Sequence, residues 1–179
     1  MILGMSLATF TLAHVIISLV AIAAGLIVLF GMWGAKRMPA MTALFLITTV
    51  LTSVTGYFFP SEDIKPSHIV GALSLVILAV SLLAIYVYHL AGRWRWIYVV
   101  TAVTALYLNV FVLVVQSFLK IPFLNQFAPK GNEPPFAAAQ GLVLVLFVLG
   151  GWLAVKRFHF AGGLAFAATR SHPPTAKLF

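Results

Sequence analysis

Two histidines, His14 and His68, are the side chains best placed to do chemistry in this 179-residue chain, since each sits early in a long stretch that carries no charged residue. His14 precedes Lys36 by 22 residues and His68 precedes Arg93 by 25. If both stretches are helical, the rise per residue puts the two imidazoles within about 4.5 Å of the same depth. Two level imidazoles on different helices are what a b-type haem requires as axial ligands, in the dry slot that a helical bundle provides. The same nitrogens would suit another metal or a proton-transfer step. A structural hydrogen bond to a loop carboxylate such as Glu62 or Asp63 would satisfy them equally.

The other polar groups of the apolar stretches would shape a pocket beside such a site. Asn109 and Gln116 are seven apart and share one helix face. An amide in hydrocarbon needs a partner, either on a neighbouring helix or on a ligand such as a quinone, and Gln140 poses the same demand. Thr48, Thr52 and Thr55 form one stripe and Thr49, Ser53 and Gly56 the next, so this stretch should face protein and not lipid. Its hydroxyls either bond carbonyls one turn back in a tight seam or line a polar wall. The candidate cofactor site therefore has His14 and His68 as ligands, with Gln116, Gln140, Asn109 and Thr55 around them. His89 falls near the opposite boundary, and His159 and His172 belong to the C-terminal end.

Several chemistries are excluded. Cysteine is absent, which removes disulfides, thiolate ligation and covalent c-type haem attachment. No nucleotide loop, nucleophile triad or H-E-x-x-H motif occurs. No carboxylate lies inside an apolar stretch, which argues against an ion-driven transporter. A small-solute permease would need the Thr-rich stripe and Asn109 to line a path.

The elements that hold these residues follow from the segregation of charge. Hydrophobic residues make up 63% of the chain and charged residues 8%, against roughly one quarter charged in soluble domains. Every Lys, Arg, Asp and Glu lies in a short connector or a tail. Between them run five stretches of the length needed to cross a bilayer, over residues 8–33, 39–59, 68–90, 96–119 and 136–155. The expected fold is all-α: one integral-membrane domain over 1–179, a bundle of five transmembrane helices with a loop at 120–135 and a tail at 156–179. The first stretch has no Lys or Arg before Lys36 and is too long for a signal-peptide core, so it is read as a retained helix.

Sidedness follows from the basic residues. Five spans put Lys36, Arg37, Arg93, Arg95, Lys156, Arg157, Arg170 and Lys177 on one side, 8 of the 11, and all three acids on the other. Short cytoplasmic loops retain Lys and Arg, which predicts the N-terminus outside, the C-terminus in the cytoplasm and the 120–135 loop external. Topology and anionic headgroups of the bilayer thus account for the basic balance without nucleic acid as a partner. Trp33, Trp94, Trp96 and Trp152 all fall at the predicted cytoplasmic ends, where indoles prefer the headgroup region. Tyr57, Phe58 and Phe59 mark the opposite interface. Pro122, Pro129, Pro134 and Pro135 argue against a continuous helix in the external loop, whose Phe123 and Phe127 suit the interface.

Small residues mark candidate packing seams: Ala21 with Gly25, Gly71 with Ser74 and Ser81, Ala137 with Gly141, and Gly150 with Ala154. The first four spans also read as two hairpins of the same orientation, one beginning Ala13-His14-Val15 and the other Ser67-His68-Ile69. An axis along the membrane normal relating them would make His14 and His68 equivalent.

At Thr52-Ser53-Val54-Thr55-Gly56-Tyr57, Pro66-Ser67-His68-Ile69-Val70-Gly71, Trp94-Arg95-Trp96-Ile97-Tyr98-Val99-Val100 and Leu106-Tyr107-Leu108-Asn109-Val110-Phe111 the chain resembles a family of small, uncharacterised, multi-span bacterial membrane proteins. That resemblance implies the bacterial inner membrane and brings no activity with it. The chain is more distantly similar to four-helix b-type cytochromes, which hold two haems between paired histidines. It departs from them in that span two has no histidine, so one haem at most fits, on the external side. The expected role is membrane electron transfer with one haem b and a quinone or redox partner. Two other classes stay open: a non-catalytic subunit or assembly factor of a larger membrane complex, docking through its Pro-rich loop, and a small-solute permease.

Overall fold

The computed structural model describes residue 2, residues 4–60 and residues 66–158, and every regular element among them is helical. The long helices are α1 (Leu7–Trp33), α2 (Pro39–Gly56), α3 (Pro66–Leu82), α4 (Trp94–Lys120) and α6 (Pro134–Arg157), with a single turn, α5 (Pro122–Asn125), between the last two. Among the described residues five helices, the third counted with its continuation to Val87, are long and apolar enough to cross a membrane. His159, His172, Glu62 and Asp63 lie outside the described residues, as does nearly all of the C-terminal tail.

Local chemistry sets the helix ends. Ser6 caps α1 by accepting from the Thr9 N–H at 3.1 Å, and α2 and α6 start on Pro39 and Pro134, whose missing N–H is no loss in a first turn. The end of α4 falls two residues before Pro122.

The third span differs from its expected form as one helix over 68–90. It is α-helical to Leu82 and then opens into a π-helical turn, Leu83–Val87. The Tyr88 N–H donates to the Leu83 carbonyl and the Leu90 N–H to that of Ala84, both at 3.0 Å. His89 and Leu90 follow in the left-handed region at φ 48° and 60°. Such a widened turn holds an extra residue, so a 3.6-residue pattern read straight through it runs out of phase. Tyr88 stacks flat on Trp94, ring centroids 3.7 Å apart, and so closes the connector to α4.

α1, α2, α3 and α4 form a ring in which each packs on the next and α4 returns to α1; α6 lies outside, against α4 and α1. A two-fold axis between the α1–α2 and α3–α4 hairpins would give this same ring, with α1 diagonal to α3. Phe45, Leu46, Leu78, Leu106 and Tyr98 fill the interior. Gly25 permits the closest approach: a Cβ there would lie 2.6 Å from Leu106 Cδ1 and 2.9 Å from the Phe45 ring. The seams at Ala21, Ser74, Ser81, Gly150 and Ala154 are buried, whereas Ala137 and Gly141 are exposed. α6 turns Leu142, Val145, Leu146, Val148 and Leu149 outward, as a helix bordering lipid does.

Contacts gather the connectors into two ends. Arg95 Nη1 donates to the Phe158 carbonyl at 2.9 Å, Trp33 Nε1 to the Gly150 carbonyl at 2.9 Å, and Lys156 Nζ sits 3.9 Å over the Trp152 ring. This basic end opposes a histidine end, where Phe10, His14, Tyr57, Phe59 and His68 meet.

Candidate functional site

At the histidine end the C-terminal turn of α2 serves both imidazoles. His14 Nδ1 lies 2.8 Å from Thr55 Oγ1, whose own proton is donated to the Leu51 carbonyl at 2.7 Å. The hydroxyl therefore accepts, the neutral ring carries its proton on Nδ1, and the lone pair is on Nε2. Phe59 meets the same ring edge to face, centroids 5.1 Å apart. Ser18 donates to the His14 carbonyl at 2.7 Å.

His68 is held differently. Its ring stacks on Tyr57 with centroids 5.5 Å apart, and the Tyr57 hydroxyl donates to the His68 carbonyl at 2.7 Å. Gly71 makes room for that phenol, since a Cβ there would come within 3.3 Å of it. Both histidines thus belong to one end of the bundle, where Thr55 in α2's last turn and Phe59 just after it meet His14, and Tyr57 meets His68. Among the described residues no group of three or more His, Cys, Asp or Glu is arranged to hold a metal ion.

The expected pocket residues are spread along the bundle. Asn109 Nδ2 donates to Thr49 Oγ1 at 3.1 Å, joining α4 to α2 across the ring. Gln140 Nε2 donates to the Phe111 carbonyl at 3.1 Å, joining α6 to α4. Gln116 is half-buried on α4 and takes part in neither bond. The threonine stripe faces protein as its spacing requires: Thr48, Thr49 and Ser53 are buried, and Thr48 bonds the Leu44 carbonyl one turn back at 2.6 Å.

The basic end holds a feature that histidine-centred reasoning misses. A cleft of about 250 Å³ opens between the α1–α2 connector, the π-helical turn and the start of α4. Lys36 and Arg37 are at its rim, Ile85, Leu90 and Phe158 form apolar walls, and the buried residues Thr42 and Tyr98 contribute hydroxyl-bearing side chains. The signal for it was present in the sequence, as basic and aromatic residues clustered in Lys36-Arg37, Tyr86-Val87-Tyr88 and Arg93-Trp94-Arg95-Trp96. Membrane topology accounts for the same residues, so their clustering does not by itself announce a site.

No family model matches the chain, and no curated protein or solved structure matches it either.

Proposed function

We propose that this is a multi-pass protein of the bacterial inner membrane, N-terminus outside and C-terminus cytoplasmic, acting as a non-catalytic helical subunit or assembly factor of a larger membrane complex. The clustering of basic connectors at one end supports the sidedness. One observation carries the role: His14, Asn109 and Gln140 bond Thr55, Thr49 and the Phe111 carbonyl, each on another helix. Side chains so used fix helix positions and are not directed at a substrate. The connector after α4 supplies a docking surface, its Phe123 and Phe127 paired edge to face and 67% and 50% exposed. Extraction of the full chain in a mild detergent should give a complex with a second polypeptide at fixed stoichiometry, lost in the Phe123→Ser/Phe127→Ser variant. Recovery of the wild type only as a lone chain would overturn the reading.

A second reading is favoured by the His14 geometry alone. An imidazole whose Nδ1–H is anchored by a neighbour presents Nε2 as a ligand, as metal-bound histidines do. In this reading His14 and His68 are the axial ligands of one haem b, which would supply one-electron transfer between a quinone or another redox partner and the bundle. An absorption spectrum before and after dithionite decides. A Soret band lost in both His14→Ala and His68→Ala supports electron transfer, and its absence after expression with adequate haem removes that role.

A further inference from the structure

The connector between α3 and α4 is built under backbone strain, and its hydrogen bonds show what that strain holds in place. Among the described residues only Ala35, His89 and Leu90 are non-glycine residues in the left-handed region, at φ 54°, 48° and 60°. Ala35 lies in the connector on one side of the cleft, and His89 and Leu90 follow the π-helical turn on the other. A Cβ resists that backbone, and Leu lacks the short polar side chain that lets Asn or Asp adopt it. Such residues persist where their surroundings over-determine them, as at clamps and switches.

Two contacts over-determine Leu90. Its side chain is buried in the wall of the cleft and joins the hydrophobic core, and its N–H donates to the Ala84 carbonyl at 3.0 Å. The second contact accounts for the π-helical turn. In an α-helix the Ala84 carbonyl would accept from Tyr88, four residues on. With Leu90 there, the Tyr88 N–H donates instead to Leu83, five residues back, at 3.0 Å. Leu90 seated inward and a turn widened to π are therefore one arrangement. Withdrawal of Leu90 frees the Ala84 carbonyl for Tyr88 and lets the helix end close to α, and the one N–H released, that of Leu90, passes to water at the helix end.

The opposing contributions are of similar size: left-handed backbone at His89 and Leu90 disfavours the inward seat, and burial of one Leu side chain favours it. The loop is closed at its base by the flat stack of Tyr88 on Trp94. Gly92, at φ 52°, has nothing within 4 Å of a Cβ position, so the loop has open space around it.

We propose that Leu90 is the lid of the cleft. It is closed here, with its side chain in the wall and the turn in π form; in the open form Leu90 is withdrawn, the turn is α-helical and the cleft is wider between Ile85 and the α1–α2 connector. The Ala84 carbonyl serves either Leu90 or Tyr88, which makes the lid two-state and not continuously variable. An occupant of the cleft that takes the place of the Leu90 side chain draws the end of α3 into α form.

Amide exchange of the full-length protein in detergent, followed residue by residue by NMR and corrected for intrinsic rates, tests the lid. Opening releases the Leu90 N–H and leaves that of Tyr88 bonded in both forms, so Leu90 should exchange about tenfold faster than Tyr88, whereas fraying of the helix end releases both together. His89→Gly relieves the closed form and should slow exchange at Leu90 by about tenfold. Leu90→Ser keeps the strain but loses the buried side chain, and the amide at 90 should exchange about tenfold faster with Tyr88 unchanged. Ala35→Gly, the same relief in the facing connector, should alter neither amide. The chain has no cysteine, so alkylation of Ile85→Cys reports access to the cleft wall alone; its rate should rise with Leu90→Ser and fall with His89→Gly. Equal exchange at Tyr88 and Leu90, or protection of Leu90 as complete as that of Leu106 in the core, would overturn the proposal. So would an equal response to Ala35→Gly and His89→Gly, or an alkylation rate indifferent to both lid variants.

Discussion

The His14 ring and the Thr55 hydroxyl are joined by a 2.8 Å hydrogen bond that crosses from α1 to α2, and the proton Thr55 donates to the Leu51 carbonyl fixes the direction of that bond. The pair ties the first turns of α1 to the last turn of α2. Thr55→Val removes the acceptor while keeping the shape, leaving a half-buried Nδ1–H unpaired at a cost of about 1 kcal/mol. Thr55→Ser should recover most of the loss, and Thr55→Val in a His14→Phe background should cost little further. Thermal unfolding midpoints in detergent give the comparison; a Thr55→Val midpoint equal to wild type would mean that the bond contributes nothing.

Ser74 and Ser81 present the opposite case. They lie seven apart on one face of α3, are 3% and 0% exposed, and neither hydroxyl has a hydrogen-bond partner among the described residues. A buried hydroxyl without a partner costs about 1 to 3 kcal/mol. Ser81→Ala should therefore leave stability unchanged or raise it by about 1 kcal/mol, which equilibrium unfolding in mixed micelles can resolve. A clear loss would reveal a partner for the hydroxyl.

The carboxylate of Glu133 makes a pH-dependent joint in the connector before α6. Its oxygens accept the Lys130 and Asn132 N–H groups, both at 3.0 Å. Partial desolvation would raise its pKa, but the backbone donors of the turn outweigh that and hold it below the usual value of 4.5. A folded value below the unfolded one means that the turn's contribution is complete above about pH 4.5 and is lost as pH falls through the lower, folded value. Amide exchange at Lys130 and Asn132 should accelerate over that acid range in the wild type, beyond the intrinsic pH dependence of exchange. In Glu133→Gln it should be fast throughout; identical profiles for the two proteins would remove the carboxylate from the turn.

The parts of this fold that were legible in the sequence are those governed by local composition. Charge-free stretches between Lys36, Arg93 and Lys156 marked the long helices because hydrocarbon tolerates only helix there, and Pro39 and Pro134 marked two starts. The threonine stripe announced its buried face by spacing alone. What stayed hidden was set by packing between elements. The π-helical turn after Leu82 packs on α4 and buries Ala84 completely, and no spacing rule for α-helices encodes it. The His14 partner was equally out of reach: among many hydroxyls on α2, only the tertiary register selects Thr55. The cleft escaped because Lys36 and Arg37 already had an explanation as topology signals, and a residue can serve both purposes.

Two glycines with similar sequence credentials divide on this point. Gly25 and Gly141 each pair with an alanine four residues earlier, Ala21 and Ala137, and both pairs read as packing seams. In the bundle, a Cβ on Gly25 would meet Leu106 Cδ1 and the Phe45 ring below 3 Å, and those side chains are each 1% exposed, with no room to retreat. A Cβ on Gly141 meets nothing within 4 Å. Gly25→Ala should therefore destabilise by about 1 to 3 kcal/mol through overpacking, partly relieved by Leu106→Val. Gly141→Ala should be neutral or gain up to about 1 kcal/mol from helix propensity. Measured on the isolated chain in detergent, the two substitutions should thus differ in sign or nearly so. Were Gly141→Ala harmless in the isolated chain but damaging to the complex extracted from membranes, the open face of α6 would be the seam its spacing announced, closed by another polypeptide.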